Sequence, residues 1–388
     1  VSAPHEGLRV LELARVLAGP WIGQTLADLG ADVVKVESPE GDETRRWGPP
    51  FIEREGGGRE AAYFHCCNRG KRSITADLRK PEGCELVRAL AARADVLIEN
   101  FKVGGLARYG LDYPALSALN PRLVYCSVTG YGQSGPYAAL PGYDLMIQGM
   151  SGIMDLTGEP DGPPEKTGVA FADLFTGTYG VIAIQAALAQ RERTGRGQHI
   201  DMALLDTMVA VLANQALNYL VSGRTPRRVG NAHVNIVPYQ VFETSDGHAI
   251  VGVGNDAQYR AFCTAIGAPA LAQDARFATN ADRVRNRAVL IPALAEVVRT
   301  FSSTQLLTIL KACGVPCGPI NSVAEVFADP QVLARAMRVD LPAADVSGGT
   351  LPSIRTPIRF SEAGLTLKRP APRLGEHTAE ILRELGVS

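Results

Sequence analysis

Short apolar runs alternate with amphipathic stretches along the first two hundred residues, and this alternation predicts the larger part of the fold. Leu8–Leu13 reads as a short strand, Gly19-Pro20 opens a helix through about Leu29, and Ala31–Val36 reads as a second strand. The pattern recurs with a helix near 81–93, a strand at Val96–Glu99, a helix near 103–109 and a strand at Leu123–Val128. Repeated βαβ units predict an α/β fold, an open and mostly parallel sheet with helices on both faces. Residues 38–62, rich in Gly, Pro and charge, read as a long loop, and loops of that length are usually functional.

Farther along, a helix is expected from about 173 to 193, then a tight turn at Thr194–Gly197, a strand at His199–Met202 and a long helix to about Val221. The composition shifts at Ser222–Gly230, which reads as a linker. Beyond it, Val234–Thr244 and His248–Gly254 flank Ser245-Asp-Gly247, a β-hairpin signal. Helical stretches follow near 280–300 and 303–313, the latter opened by a Ser302/Gln305 capping box. A short amphipathic helix is expected from about His377 to Leu385. The implied division is a large domain over 1–222, a small α+β domain over 223–325, and a return segment over 326–388 completing the large one.

The chain has 388 residues, above the usual ceiling for one core, in keeping with two domains. Its formal charge is −1 and it has no Lys/Arg run, which argues against a nucleic-acid partner or a membrane surface. No segment reads as the ~20 apolar residues that a bilayer span needs. The seven cysteines make no C-x-x-C pair, so reduced thiols are expected, with neither zinc nor disulfides. The N-terminal residues show no secretory pattern, and the expected location is cytoplasmic, or the mitochondrial matrix if a transit peptide has been removed.

Asp173 stands out among the polar positions. It lies among small and apolar residues, with no basic residue within six positions, at the start of an expected helix. It reads either as an N-cap satisfying orphan backbone N–H groups or as a carboxylate kept ionised by the helix terminus for nucleophilic work. Gly130-Tyr-Gly-Gln-Ser-Gly135 matches a dinucleotide fingerprint, but Pro136 follows at once and no acid-terminated strand lies about 20 residues on, so NAD is not expected. The six histidines show no metal spacing. Basic residues gather at Arg69, Lys71, Arg72, Arg79, Lys80, Lys102 and Arg108. Each reads singly as solvated charge; together they could face the crevice where open α/β sheets bind anions.

An ordered set of motifs runs from residue 7 to residue 386. It includes Val10-Leu-Glu-Leu13, Arg15-Val-Leu-Ala-Gly-Pro20, Gly30-Ala-Asp-Val-Val-Lys-Val-Glu37, Asn68-Arg-Gly-Lys-Arg-Ser73 and Glu99-Asn-Phe101. Gly130–Pro136, Thr194-Gly-Arg-Gly-Gln198, Gly314-Val-Pro-Cys-Gly-Pro319 and Leu374-Gly-Glu-His377 continue it. The set resembles the family III CoA-transferases, the group containing formyl-CoA transferase. Gly48-Pro-Pro-Phe51, Val237-Pro-Tyr-Gln240 and Gly318-Pro-Ile-Asn321 are most similar to its succinate–hydroxymethylglutarate branch.

The resemblance implies a Rossmann-like large domain and a small domain arranged as an elongated ring, with two rings interlocked as a homodimer. It implies a coenzyme A thioester as co-substrate, no prosthetic group and no metal. Asp173 falls on the family's nucleophilic aspartate. Val16, Ala18, Arg79, Asn100, Phe101, Lys102 and Arg108 match positions at the CoA site, and Tyr143 matches a tyrosine near the thioester. Three departures bear on the substrate: Ser38 in place of an arginine, Leu17 in place of a glutamine, and a short Gly252-Val-Gly-Asn255 where formyl-CoA transferase has a glycine-rich lid.

The expected activity is CoA transfer from an acyl-CoA such as succinyl-CoA to a dicarboxylic acid, through aspartyl anhydride and aspartyl-CoA intermediates. Arg15, Arg46, Gly252, Gly254 and Asn255 are candidates to hold the remote carboxylate. A 2-methylacyl-CoA racemase of the same fold and a non-catalytic CoA-binding protein stand as alternatives. Against the racemase, Tyr143 occupies the position of a histidine base, and phenol is a poor base at neutral pH. Its bland reading is a buried tyrosine in a loop.

Overall fold

The computed structural model describes residues 2–386. The chain divides into a larger unit, 1–153 with 166–222 and 331–388, and a smaller one, 154–165 with 223–330. The smaller unit therefore takes in Met154–Glu165, which the sequence reading assigned to the large domain.

The larger unit is built on β1 (Arg9–Glu12), α1 (Ala18–Asp28), β2 (Asp32–Glu37), a hairpin of β3 (Phe51–Glu53) and β4 (Arg59–Ala61), α2 (Ala62–His65), β5 (Arg72–Thr75) and α3 (Pro81–Ala91). β6 (Val96–Glu99), α4 (Tyr113–Leu119), β7 (Val124–Thr129) and α5 (Asp144–Met150) follow, then, after the short α6 (Ile153–Leu156) whose residues from Met154 on belong to the smaller unit, α7 (Phe171–Thr194), β8 (His199–Ala203), α8 (Leu204–Ala210) and α9 (Ala213–Ser222). Strands β5-β2-β1-β6-β7-β8 form one six-stranded sheet. Every pairing in it is parallel, Val10 lying beside Val33 on one side and Val96 on the other. Parallel strands covered on both faces must be apolar on both, which is why their sequences read as unbroken apolar runs.

One face packs Ala18, Ile22 and Leu26 of α1 with Ile184 and Ala187 of α7 and Met208 of α8. The other packs Val87 and Ala91 of α3, Leu116 of α4 and Ile381 of the C-terminal helix Thr378–Leu385. That helix is tied to the edge strand β5 by Arg72, which meets Glu380 and Glu384 at 2.9 and 2.8 Å. Chain order reverses between β1 and β6, the crevice where sheets of this kind bind ligands.

Several expectations are corrected. The helix near 103–109 is only a 3₁₀ turn at Ala107–Tyr109, because Gly104 (φ +74°) and Gly105 open a loop instead. The loop 38–62 contains a 3₁₀ turn at Glu43–Arg46 and the β3–β4 hairpin. The long helix after β8 breaks into α8 and α9, bent by 72°, with Ala213 at φ +46°. Helix α7 has 24 residues and a hydropathy of 1.3, so by length and composition it does reach the bilayer-spanning range. Here it packs on α1, where glycines permit close approach. A Cβ on Gly177 would lie 2.9 Å from the Ala18 carbonyl, and one on Gly180 2.4 Å from Ile22. That approach carries the start of α7 up to the first βα turn.

The basic cluster at 69–72 does not face the crevice, because its members are committed to ion pairs, those of Arg69 and Lys71 buried and that of Arg72 with half-exposed carboxylates. Arg69 pairs with Asp28 at 2.6 Å and Arg72 with Asp32 at 2.5 Å. Lys71 is fully buried on Glu12 at 2.8 Å and also donates to the Pro20 carbonyl. Lys35, equally buried, joins Glu12 and Asp42, both at 3.1 Å, and donates to the Ala14 carbonyl at 2.8 Å. These lysines hold the first βα turn from beneath.

The smaller unit has a three-stranded antiparallel sheet of β9 (Tyr239–Thr244), β10 (Gly247–Gly252) and β11 (Cys317–Gly318), with β10 central. The β9–β10 hairpin turns at Ser245–Asp246, though β9 starts five residues later than Val234. Helix Ser303–Ala312 carries the Ser302/Gln305 capping box. The stretch 280–300 is two helices, Asn280–Arg285 and Arg287–Val298, separated at Asn286.

Candidate active site

A cavity of about 670 Å³ opens at the carboxyl ends of the sheet strands. The turn after β1 contributes Arg15, Val16, Leu17 and Ala18; the loop after β6 contributes Asn100 to Gly105, with Arg108 just beyond. The end of β7, Tyr143 and Leu204 complete the wall, and Asp173 lies in it at the start of α7. Nine of the proposed site residues are thus brought together: Arg15, Val16, Ala18, Asn100, Phe101, Lys102, Arg108, Tyr143 and Asp173.

The turn after β1 is held in an unusual conformation. Val16 has φ +71°, a region that a β-branched residue enters at a cost of about 1–3 kcal/mol. Asn100 restrains it: its side-chain oxygen accepts from the Arg15 N–H at 2.9 Å and its amide donates to the Arg15 carbonyl at 2.7 Å. The Asn100 amide is therefore committed to backbone, while Phe101 and Lys102 form the wall. Glu99, a buried strand-end acid, accepts from the Phe101 N–H at 2.7 Å and anchors the same loop. Burial pushes its carboxyl up to about 7, against the pull of Ser127 and that N–H.

The cations differ in availability. Arg15 pairs with Glu43 at 3.2 Å. Lys102 and Arg108 have no carboxylate partner among the described residues, and the Arg108 guanidinium lies over the Tyr109 ring at 4.6 Å. Unpaired cations on a cavity wall suit phosphate oxygens, the Arg108 guanidinium as a planar fork and the Lys102 ammonium as a point charge. Arg79 is not among the lining residues; it is 70% exposed and pairs with Asp77 and Glu40. Arg46, also exposed, donates to the Glu40 carbonyl at 3.0 Å. Gly252, Gly254 and Asn255 belong to the smaller unit, where Asn255 caps the helix Asp256–Ala265 and the Gly254 N–H donates to Gln258.

Asp173 is not the N-cap of its helix. Ala170 holds that place and Asp173 is the third helical residue. The orphan amides are satisfied from outside: Asp144, first residue of α5, accepts from the N–H groups of Ala172 at 2.9 Å and Asp173 at 3.3 Å. The Asp173 carboxylate consequently has no hydrogen-bond duty among the described residues. Nor is it held ionised by the helix terminus. Burial and then the Asp144 carboxylate push it up to about 7. It is a more basic carboxylate than a surface aspartate, and so a better nucleophile once ionised.

Two residues near it escaped the sequence reading. Tyr63 on α2 lies within electrostatic reach of this group, its phenol pushed up by burial and by the Asp173 charge. Asp144 stood beside Tyr143 in the sequence, but nothing local marked it as the cap of a helix beginning 27 residues later. Tyr143 itself is 59% exposed, which corrects the reading of a buried loop tyrosine.

The comparisons agree with this geometry. The model of the CoA-transferase family III matches residues 6–378. A succinate–glutarate CoA-transferase of Agrobacterium fabrum is 59% identical, covering 98% of this chain and 96% of that protein. The human succinyl-CoA:glutarate CoA-transferase is 42% identical, over 98% of this chain and 86% of that one. The crystal structure of a CAIB/BAIF family protein from Brucella suis superposes with a TM-score of 0.88 at 62% identity, covering 99% of this chain and all of that one. With its parallel sheet, its strand-end cavity and a match over nearly its whole length, the chain belongs to the CoA-transferase family III.

Proposed function

We propose that this enzyme moves CoA from a dicarboxylic acyl-CoA, with succinyl-CoA as reference donor, to a second dicarboxylic acid, and that Asp173 carries the acyl and CoA groups covalently. The observation that supports it most is the Asp173 carboxylate itself, which lies in the cavity wall with its helix amides capped by another residue. The relatives' names support the acid class, since they act on succinate and glutarate or their CoA esters.

Asp173 attacks the thioester carbon and expels CoA thiolate, leaving an aspartyl–acyl anhydride. The thiolate then attacks the aspartyl carbonyl. The donor acid leaves with the bridging oxygen, and an aspartyl-CoA thioester remains. The acceptor carboxylate attacks that thioester, and the thiolate finally takes the acceptor's acyl carbon, releasing Asp173 with one oxygen from the acceptor. One thioester replaces another, so no net energy input or redox partner is needed. Backbone N–H donors at the oxyanion would each contribute several kcal/mol at the transition state. Lys102 and Arg108 are assigned to CoA phosphates. Arg15, released from Glu43, is assigned to the remote carboxylate, with Arg46 as the alternate and Arg79 beside the adenine.

A homodimer is proposed with it, interlocked as the family resemblance implies. Phe175, Tyr179 and Ile182 on α7 and Leu217, Leu220 and Val221 on α9 are exposed, Leu220 and Val221 by 72% and 83%, and a second copy would cover them. Sedimentation equilibrium giving a monomer would refute that part. For the chemistry, turnover with acceptor acid labelled in its carboxylate oxygens should place ¹⁸O in the Asp173 peptide, read by mass spectrometry. Active enzyme with no label there would refute the covalent route.

A further inference from the structure

Resting on Asp173 as nucleophile, we propose that Asp144 and Gln148 form a two-residue clamp that positions it, acting on the backbone of 167–173 and not on the substrate. Both lie one turn apart on α5, which faces α7. Asp144 accepts from the Ala172 and Asp173 N–H groups, and its other oxygen accepts from the Gln148 amide at 2.7 Å. Gln148 is fully buried. Its oxygen accepts from the Thr167 N–H at 3.0 Å and hydroxyl at 3.1 Å, and its amide also reaches the Val169 carbonyl at 3.4 Å.

One connected set of bonds thus fixes the approach to α7 at Thr167 and Val169 and its first turn at Ala172 and Asp173. The segment needs that hold, because Ala170, the N-cap, has no side-chain oxygen to supply it. Asp144 has a second effect, since its charge opposes ionisation of its neighbour. The other titratable groups around the nucleophile are Tyr63 on α2 and, on the cavity wall, Tyr143, the Arg15–Glu43 pair, Lys102 and Arg108. Asp144 therefore joins the orientation of the nucleophile to the pH at which it works.

The two effects separate by substitution. Asp144→Ala removes acceptor and charge; Asp144→Asn keeps an oxygen for the helix amides and removes the charge; Gln148→Met removes the second half of the clamp. The expected results are a ~10–100-fold fall in kcat for Asp144→Ala, with KM for succinyl-CoA within about twofold, and a smaller fall in kcat for Gln148→Met. Asp144→Asn should retain more kcat than Asp144→Ala, and the acid limb of its kcat/KM profile should move down by about half a pH unit or more. Wild-type kcat in Asp144→Ala, or an unmoved acid limb in Asp144→Asn, would overturn the proposal. Should Asp144→Ala fail to fold, the acid limb of Asp144→Asn and the kcat of Gln148→Met decide by the same criteria. Asp173→Asn run in parallel keeps the two readings apart. If it turns over, the nucleophile assignment fails; if it is dead while the Asp144 and Gln148 variants match wild type, only the clamp fails.

Discussion

Replacing Asp173 by asparagine removes one ionisation and leaves nearly the same shape, so the structure predicts a stability change whose sign depends on pH. In the unfolded chain the aspartate loses its proton near pH 3.9. In the folded chain burial and Asp144 hold that proton until about pH 7. Between those values the native state binds more proton than the unfolded one, so its stability falls as pH rises and the loss is complete above pH 7. From pH 5 to pH 8 the wild type crosses roughly two pH units of this window at about 1.36 kcal/mol each, which is ~2–3 kcal/mol. Asp173 keeps some contact with solvent, so about 2 kcal/mol is the expected size. Asparagine has no such term, and comparing two pH values cancels whatever its amide costs. Scanning calorimetry at constant ionic strength should show the Tm of the variant, taken relative to wild type, rising by roughly 2–4 °C between pH 5 and pH 8. Parallel Tm curves across that range would mean that Asp173 ionises normally, and would remove the account of its basicity. The same shift places the acid limb of wild-type kcat/KM near pH 7, with activity rising above it.

Three further outcomes are expected. Arg108→Ala should weaken CoA-ester binding by roughly 1.5–3 kcal/mol with little effect on the chemical step, as isothermal titration and single-turnover rates would show; unchanged affinity would return Arg108 to an ordinary surface role. Lys71→Met leaves Glu12 with Lys35 as its remaining cation and should destabilise the fold by about 3–5 kcal/mol in urea, and a loss under 1 kcal/mol would show the buried network to be dispensable. With Tyr143 in place of an imidazole base, the enzyme in D2O should leave the α-carbon of 2-methylacyl-CoA esters unlabelled while succinyl-CoA and an added dicarboxylate exchange CoA; rapid α-deuteration without exchange would favour the racemase.

What the sequence could show of this site depended on how far apart in the chain the interacting groups lie. The strands were legible because parallel strands buried on both faces are local apolar runs, and the turn at 14–20 because its residues are contiguous. Helix 103–109 misled because its apolar spacing competes with two adjacent glycines, and backbone entropy favours the loop that lines the cavity. The basic cluster misled for another reason. Charge in a sequence has no visible partner, and Lys71 meets Glu12 from 59 residues away, so a cation that reads as a ligand for anions serves as a buried prop. Asp173 presents the same difficulty in its sharpest form. Its place near a helix start implied a lowered pKa, the reverse of what the fold imposes. The deciding contact is with Asp144, 29 residues earlier, which takes the helix amides for itself and adds a second negative charge beside the first. One carboxylate therefore performs the capping that local reasoning gives to the other, and leaves that other basic and without a hydrogen bond among the described residues.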